Sequence, residues 1–267
     1  MSPRPFAKLA LASAAIFVLA APAVEAAAIH DAGLFTTVLP ANDDGSTASV
    51  GIGFSIDFYG SSLSSLFVNN NGNVTFSGPL GTYTPFGITG VSTPMLAPFF
   101  ADVDTRAGNT VTYGTNVLGG KSVFGVNWID VGYFAFHTDK LNSFQLIITD
   151  RSDVAAGDFD FEFNYDKIEW ETGDASGGTG GLGGVSAAAG WTNGTGTYYE
   201  FPGSLVNGAL LDGGSDALIA SHLNSSTDGQ YIFRVRSGHV VSVPEPATLV
   251  LLGLGLLGVT VTRRRSS

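Results

Sequence analysis

Val50 to Tyr59, VGIGFSIDFY, alternates without interruption. Val50, Ile52, Phe54, Ile56 and Phe58 fall on one side, and Gly51, Gly53, Ser55, Asp57 and Tyr59 on the other. A period of two is the pattern of a strand with one buried face. Asp158 to Asp166, DFDFEFNYD, repeats it: Phe159, Phe161, Phe163 and Tyr165 against Asp158, Asp160, Glu162, Asn164 and Asp166. This pattern predicts one core face and one wet, acidic face, as in an antiparallel sheet. Phe144, Leu146 and Ile148 alternate with Gln145 and Ile147 in the same way. Leu66 to Asn69, the turn Asn69-Asn-Asn-Gly-Asn73 and Val74 to Phe76 read as a hairpin, since Asn and Gly tolerate positive φ. Further strands are predicted over Thr110–Tyr113, Lys121–Phe136, Val185–Trp191, Thr197–Phe201 and Gln230–Arg236. Helical periodicity is confined to Ala217–Leu223, enough for a turn or two. Thr172–Gly184 is Gly-rich and is the segment expected to be most mobile. Many short strands separated by glycine turns predict an all-β fold with an antiparallel β-sandwich-like body.

Pro94 to Arg106, PMLAPFFADVDTR, is the stretch around which this pattern is arranged. On a strand, Phe99, Ala101 and Val103 point one way and Phe100, Asp102 and Asp104 the other. A face with one ring and two carboxylates has two readings. The acids sit at a strand end beside solvent or cap a turn, or they help bind a hard cation such as Ca²⁺ with oxygens from neighbouring loops. The acids of Asp158–Asp166 are read as solvated. Neighbours on one strand face lie ~7 Å apart, so an ion there needs ligands from elsewhere.

Charge narrows the partners. The chain has 267 residues, 12 of them Lys or Arg and 23 Asp or Glu. Five of the basic residues (Arg4, Lys8, Arg263, Arg264, Arg265) and two of the acids (Glu25, Glu245) lie in the ends. The body therefore carries 7 basic and 21 acidic residues, a net charge of −14. Such a surface repels phosphate backbones, so no nucleic-acid partner is expected. With no cysteine, a disulfide framework and a Cys-based zinc site are excluded. A body of about 210 residues buries a full core without them.

Both ends have the layout of addresses. Arg4 and Lys8 precede the apolar run Leu9–Ala21, followed by the small residues Ala23–Ala28. Residues 1–28 are therefore expected to be a signal peptide, a helical segment removed by signal peptidase between Ala26 and Ile29. At the other end, Val243-Pro244-Glu245-Pro246 leads into apolar Ala247–Thr262, and Arg263-Arg264-Arg265 follows. This run is a little shorter than the about 20 residues of an ordinary span, and it is expected to form a short transmembrane helix. The arginines should remain cytoplasmic and leave the body outside. Proline-glutamate-proline, short span and arginine cluster, in that order, resemble a PEP-CTERM sorting signal, here residues 243–267. The resemblance implies recognition by an exosortase, a membrane Cys protease-transpeptidase of Gram-negative bacteria. The expected route is an inner-membrane intermediate, then release to the cell surface or extracellular matrix.

The body carries a second resemblance. Ala97-Pro-Phe-Phe-Ala-Asp-Val-Asp-Thr-Arg106, with Thr110-Val-Thr-Tyr113 after it, resembles the signature of the NIDO domain, the extracellular module of nidogen, tectorin and related proteins. Phe124-Gly-Val-Asn-Trp-Ile-Asp-Val-Gly-Tyr-Phe134 is similar to the family's Trp-then-Val-Gly-Tyr strand, and Asn142-Ser-Phe-Gln-Leu-Ile-Ile-Thr149 to the strand after it. Phe161–Trp170, Ala187–Trp191 and Tyr199-Glu-Phe-Pro-Gly-Ser204 continue in the family's order. The likeness covers residues 50–236 of a body spanning 29–242. It implies a cell-surface or matrix interaction module, of a family associated in animals with cell–matrix adhesion. It brings no catalytic residues.

The residues assemble no catalytic pattern either. His30, His137, His222 and His239 have no metal-ligand spacing. Gly184-Val-Ser-Ala-Ala188 misses GxSxG at its last position. Asp102 and Glu169 offer a carboxylate pair of the kind a glycosidase needs, as any acidic sandwich does. Three function classes follow: an adhesion module of the cell surface, matrix or biofilm; an exopolysaccharide-binding module with Trp191 and Tyr198 as rings that stack on sugars; and a secreted glycan hydrolase. The first is the expectation, with no catalytic residues and with polysaccharide or surface proteins as partners.

Overall fold

The computed structural model describes residues 28–241. Among them fourteen strands form two antiparallel sheets. In chain order these are β1 (Thr37–Val38), β2 (Val50–Phe58), β3 (Ser61–Asn69), β4 (Asn73–Thr75), β5 (Met95–Phe100), β6 (Val103–Asp104), β7 (Thr112–Leu118), β8 (Lys121–Tyr133), β9 (His137–Asp150), β10 (Phe159–Lys167), β11 (Ala188–Thr192), β12 (Tyr198–Glu200), β13 (Gln230–Arg236) and β14 (His239–Val241). The larger sheet runs β1-β7-β8-β9-β10-β13-β14, with β6 paired to β8. The smaller runs β12-β11-β5-β4-β3-β2. The predicted signal helix and transmembrane helix lie outside the described residues. No helix among the described residues is long and apolar enough to cross a membrane.

The core lies between the sheets and is filled by the alternating faces. Ile52, Ile56 and Phe58 of β2 and Leu96 and Phe99 of β5 meet Trp128 of β8, Phe144, Leu146 and Ile148 of β9, and Phe159, Phe161 and Phe163 of β10. Aromatic rings bridge the layers: Phe99 packs on Phe144 with centroids 5.4 Å apart, and Phe58 on Phe159 at 6.0 Å. Offset and edge contacts of this kind add to the burial of the rings themselves.

Three local expectations change. The outer face of β10 is not simply wet. The segment before β1 lies across it: the His30 N–H donates to Gln145 Oε1 at 3.0 Å, His30 Nε2 lies 3.1 Å from Glu162 Oε2, and Asn127 Nδ2 donates to Ala32 O at 2.9 Å. Asn164 on that face is fully buried. Gly125 makes the cover possible, because a Cβ there would meet the Phe35 ring at 2.1 Å. The Gly-rich stretch Thr172–Gly184 is tied down rather than open. Its Asp174–Ser176 forms a 3-10 turn, Thr179 bridges Leu182, and Gly181 O accepts from the N–H groups of Glu171 and Thr172. Ala217–Leu223 contains only a 3-10 turn, Leu218–Ala220.

Candidate functional site

The chain changes sheets at Ala101–Asp102. β5 belongs to the smaller sheet and β6 to the larger, so a run that reads as one strand is two, joined by a crossover. The expected division of faces survives: Phe99, Ala101 and Val103 join the main core, while Phe100 packs in a second cluster with Ile88 and Met95. Asp102 and Asp104 are 1% and 0% exposed. Neither is a solvated strand end.

A buried asparagine turn holds the crossover. Asn71 O accepts from the Ala101 N–H at 3.4 Å, Asn71 Oδ1 from the Val103 N–H at 3.0 Å, and Gly72 O from the Phe99 N–H at 3.2 Å. Asn70 Nδ2 donates to Val103 O and to Asp43 O, each at 2.5 Å, and Trp128 Nε1 donates to Asn70 O at 2.9 Å. Asn69 to Asn73, expected on turn chemistry, does form the turn between β3 and β4. It is buried, however, because it satisfies the backbone groups that a sheet-switching strand leaves without a ladder. The same turn fastens the loop after β1, with Asn70 N donating to Gly45 O at 2.9 Å.

The two acids of the crossover have different partners. Asp104 Oδ1 accepts from Arg106 N and Nε, both at 2.9 Å; its Oδ2 accepts from Arg106 Nη2 at 2.6 Å and from the Phe136 N–H at 2.9 Å. Burial pushes this carboxyl up, but the hydrogen bonds from Arg106 and Phe136 outweigh it and hold Asp104 below the usual carboxylate range. The expected role of Asp104 as a cation ligand is therefore corrected: both its oxygens serve a structural ion pair. Asp102 Oδ2 is buried, and among the described residues no hydrogen-bond donor reaches it. Its near neighbours are acids from the loop after β1. One oxygen each from Asp43, Asp44 and Asp102 lie within 4.8 Å of one another. Burial first, then the charges of Asp43, Asp44 and Asp104, push Asp102 up to about 7. Burial, with Asp44 and Asp104, pushes Asp43 up to about 6. Asp43 and Asp44 escape the sequence reading because Asn-Asp-Asp-Gly is an ordinary turn pattern. Only the sheet crossover brings Asp102 to them.

The two rings expected to contact ligand separate. Trp191 on β11 is 5% exposed, packed against Phe58, Tyr59, Phe161 and Phe233 with centroids 5.9 to 6.4 Å apart. It is a core residue and is corrected as a sugar-stacking ring. Along β11, Ala189 and Trp191, like Ala187 just before the strand, face the main core, while Ala188 packs in the second cluster, so ordinary alternation points the ring inward. Tyr198 on the edge strand β12 is 48% exposed and keeps its availability. The histidines remain apart: His137 bonds Asp174 at 3.0 Å, and His222 bonds Asp228 at 2.7 Å. Glu169 Oε2 accepts from the Leu141 N–H at 2.8 Å, fixing it to the β9 backbone.

Comparison with known proteins agrees with this architecture. The family model of the nidogen-like domain (NIDO) matches residues 64–121 and 114–237, and that of the PEP-CTERM protein-sorting motif matches 242–265. The chain belongs to the nidogen-like domain family and ends in a PEP-CTERM sorting motif. It is 32% identical to alpha-tectorin of Mus musculus over 196 residues, covering 63% of this chain and 9% of that protein. Identity to alpha-tectorin of Gallus gallus is 30% over 244 residues, covering 81% of this chain and 11% of the relative. Identity to nidogen of Drosophila melanogaster is 27% over 208 residues, 67% of this chain and 14% of that protein. The chain thus spans a small part of the length of these relatives. No solved structure gives a significant match. The sorting motif marks an exported protein and implies handling by an exosortase.

Proposed function

We propose that this protein is a non-catalytic interaction module of the cell surface, extracellular matrix or biofilm of a Gram-negative bacterium. The observation that carries the reading is the joining of a nidogen-like domain to an exosortase sorting motif in one chain. The motif supplies the exit. The body supplies a two-sheet domain similar in sequence to part of alpha-tectorin and of nidogen.

Signal peptidase removes residues 1–28, residues 243–267 hold the protein transiently in the inner membrane, and exosortase releases a product running from Ile29 to about Val243. Intact-mass measurement on protein from the native host checks both cuts. Pro246→Ala should leave the chain in the inner-membrane fraction; release of that variant at the wild-type rate would remove the motif's role.

The body's charge of −14 opposes direct contact with anionic polymer. Contact with polysaccharide or neighbouring surface proteins therefore runs through exposed aromatics such as Tyr198 or through bridging cations. Deleting the gene should weaken cell aggregation without abolishing growth on any polymer. Restoring it as Tyr198→Ala should recover less cohesion than the wild-type gene if the ring carries the contact. If cations carry it, chelator should weaken cohesion more than added monovalent salt does. A deletion strain with normal cohesion that has lost digestion of one polysaccharide would turn the assignment to a hydrolase.

A further inference from the structure

We propose that Asp43, Asp44 and Asp102 form a binding site for a single divalent cation, Ca²⁺, which clamps the loop after β1 onto the sheet crossover. The inference stands apart from the adhesion reading, because it concerns how the fold is held.

Three observations carry it. The first is distance. Oxygens sharing one Ca²⁺ at about 2.4 Å lie at most about 4.8 Å apart, and the three carboxylates meet that limit. The second is the unanswered polar atom. Asp102 is 1% exposed, and no donor among the described residues reaches its Oδ2. Asp43 Oδ1 is also buried without a partner among the described residues. A buried carboxylate without a donor or a counter-charge is strongly disfavoured. The nearby cation does not answer it. Arg106 is spent on Asp104 and reaches only the other oxygen of Asp43, Oδ2, at 3.2 Å. The third is the way the carboxylates are held. Asn71 Nδ2 donates to Asp44 Oδ1 at 2.9 Å, orienting that side chain from outside the cluster. Gly173 leaves the place Asp102 occupies, since a Cβ at Gly173 would meet Asp102 Oδ2 at 2.3 Å.

The donor set selects the ion. It holds carboxylate oxygens and no His or Cys, which suits a hard cation. Ca²⁺ accepts irregular sets of about 6–8 oxygens and takes the rest from water. Asp44 is at least partly exposed, so one side of the cluster opens to solvent. The upward shifts at Asp102 and Asp43 report the same uncompensated negative charge.

The test uses the full-length chain, purified in detergent and stripped with chelator. Ca²⁺ is titrated calorimetrically and the melting temperature is followed in parallel. One ion per chain should bind, with a Kd at or below about 1 mM, the range of extracellular modules. The melting temperature should rise with ion concentration, since the native state alone holds the site. Asp102→Asn and Asp44→Asn should each weaken binding by about tenfold or more. Asp228→Asn, an exposed carboxylate paired to His222, should leave it unchanged. In chelator, Asp102→Asn should melt no lower than wild type, because it removes a buried charge; this separates lost binding from lost folding. Absence of any heat or melting shift at about 10 mM Ca²⁺ would overturn the proposal. So would wild-type affinity in both Asp102→Asn and Asp44→Asn.

Discussion

Gly72→Ala is expected to prevent the chain from reaching its native fold. Gly72 sits at φ +75°, and a Cβ there would lie 1.7 Å from the carbonyl oxygen of Phe99. The left-handed conformation alone costs an L-residue about 1–2 kcal/mol. The overlap is the greater problem. Its partner is backbone, held by the hydrogen bond from the Phe99 N–H to Gly72 O, so no side chain can swing aside. Relief requires the asparagine turn to withdraw from the crossover. That would break the bonds from Ala101 and Val103 to Asn71 and strand buried polar groups, each worth about 1–3 kcal/mol. Together these approach the whole stability of an ordinary domain, about 5–15 kcal/mol. Soluble yield and circular dichroism check it. Gly60→Ala is the control: φ is +82°, but none of the described residues lies within 4 Å of the added carbon. It should fold, with a loss of about 1–2 kcal/mol. Equal yields for the two variants would mean that the crossover does not depend on the turn.

Trp191→Ala should lower stability by about 3–5 kcal/mol, the usual cost of removing a large core aromatic. The ring touches both layers, stacking on Tyr59 with centroids 5.9 Å apart and meeting Phe161 and Phe233 edge-on at 6.4 Å. Its deletion leaves a cavity that neighbouring strands cannot collapse into. Its Nε1 has no hydrogen-bond partner among the described residues, so substitution forfeits packing and no polar contact. Trp191→Phe, which keeps most of the contact, should cost less. Denaturant midpoints of the two variants give the comparison. A shift below about 1 kcal/mol for Trp191→Ala would place the ring at the surface after all.

The face division along Pro94–Arg106 was legible because alternation is a property of the backbone and is the same in either sheet. Where the chain leaves one sheet for the other was not legible. Phe99-Phe100-Ala101-Asp102-Val103 has no glycine or proline at the break. The crossover is specified instead by asparagine side chains 32 and 33 residues earlier, which replace the missing ladder bonds. Asp104 illustrates the consequence. Its position two residues from Asp102 suggests a shared role, yet Arg106 claims it and leaves Asp102 to acids nearly 60 residues away.

By itself the sequence determined the all-β class, the register of faces on β2, β9 and β10, and the sorting motif at the end. Each depends on residues close together in the chain: a period of two, or an ordered run of proline, apolar and arginine positions. The tertiary structure alone decided which aromatic is core and which is surface, how the N-terminal segment covers β10, and which carboxylates meet. Trp191 and Tyr198 look alike to any local pattern. The face of β11 that packs on the larger sheet buries the first, and an edge position on β12 exposes the second. Asp43 and Asp44 come within reach of Asp102 only because the chain switches sheets between them and β6. Burial and charge proximity are set by contacts between distant segments, and a strand's own periodicity carries no information about them.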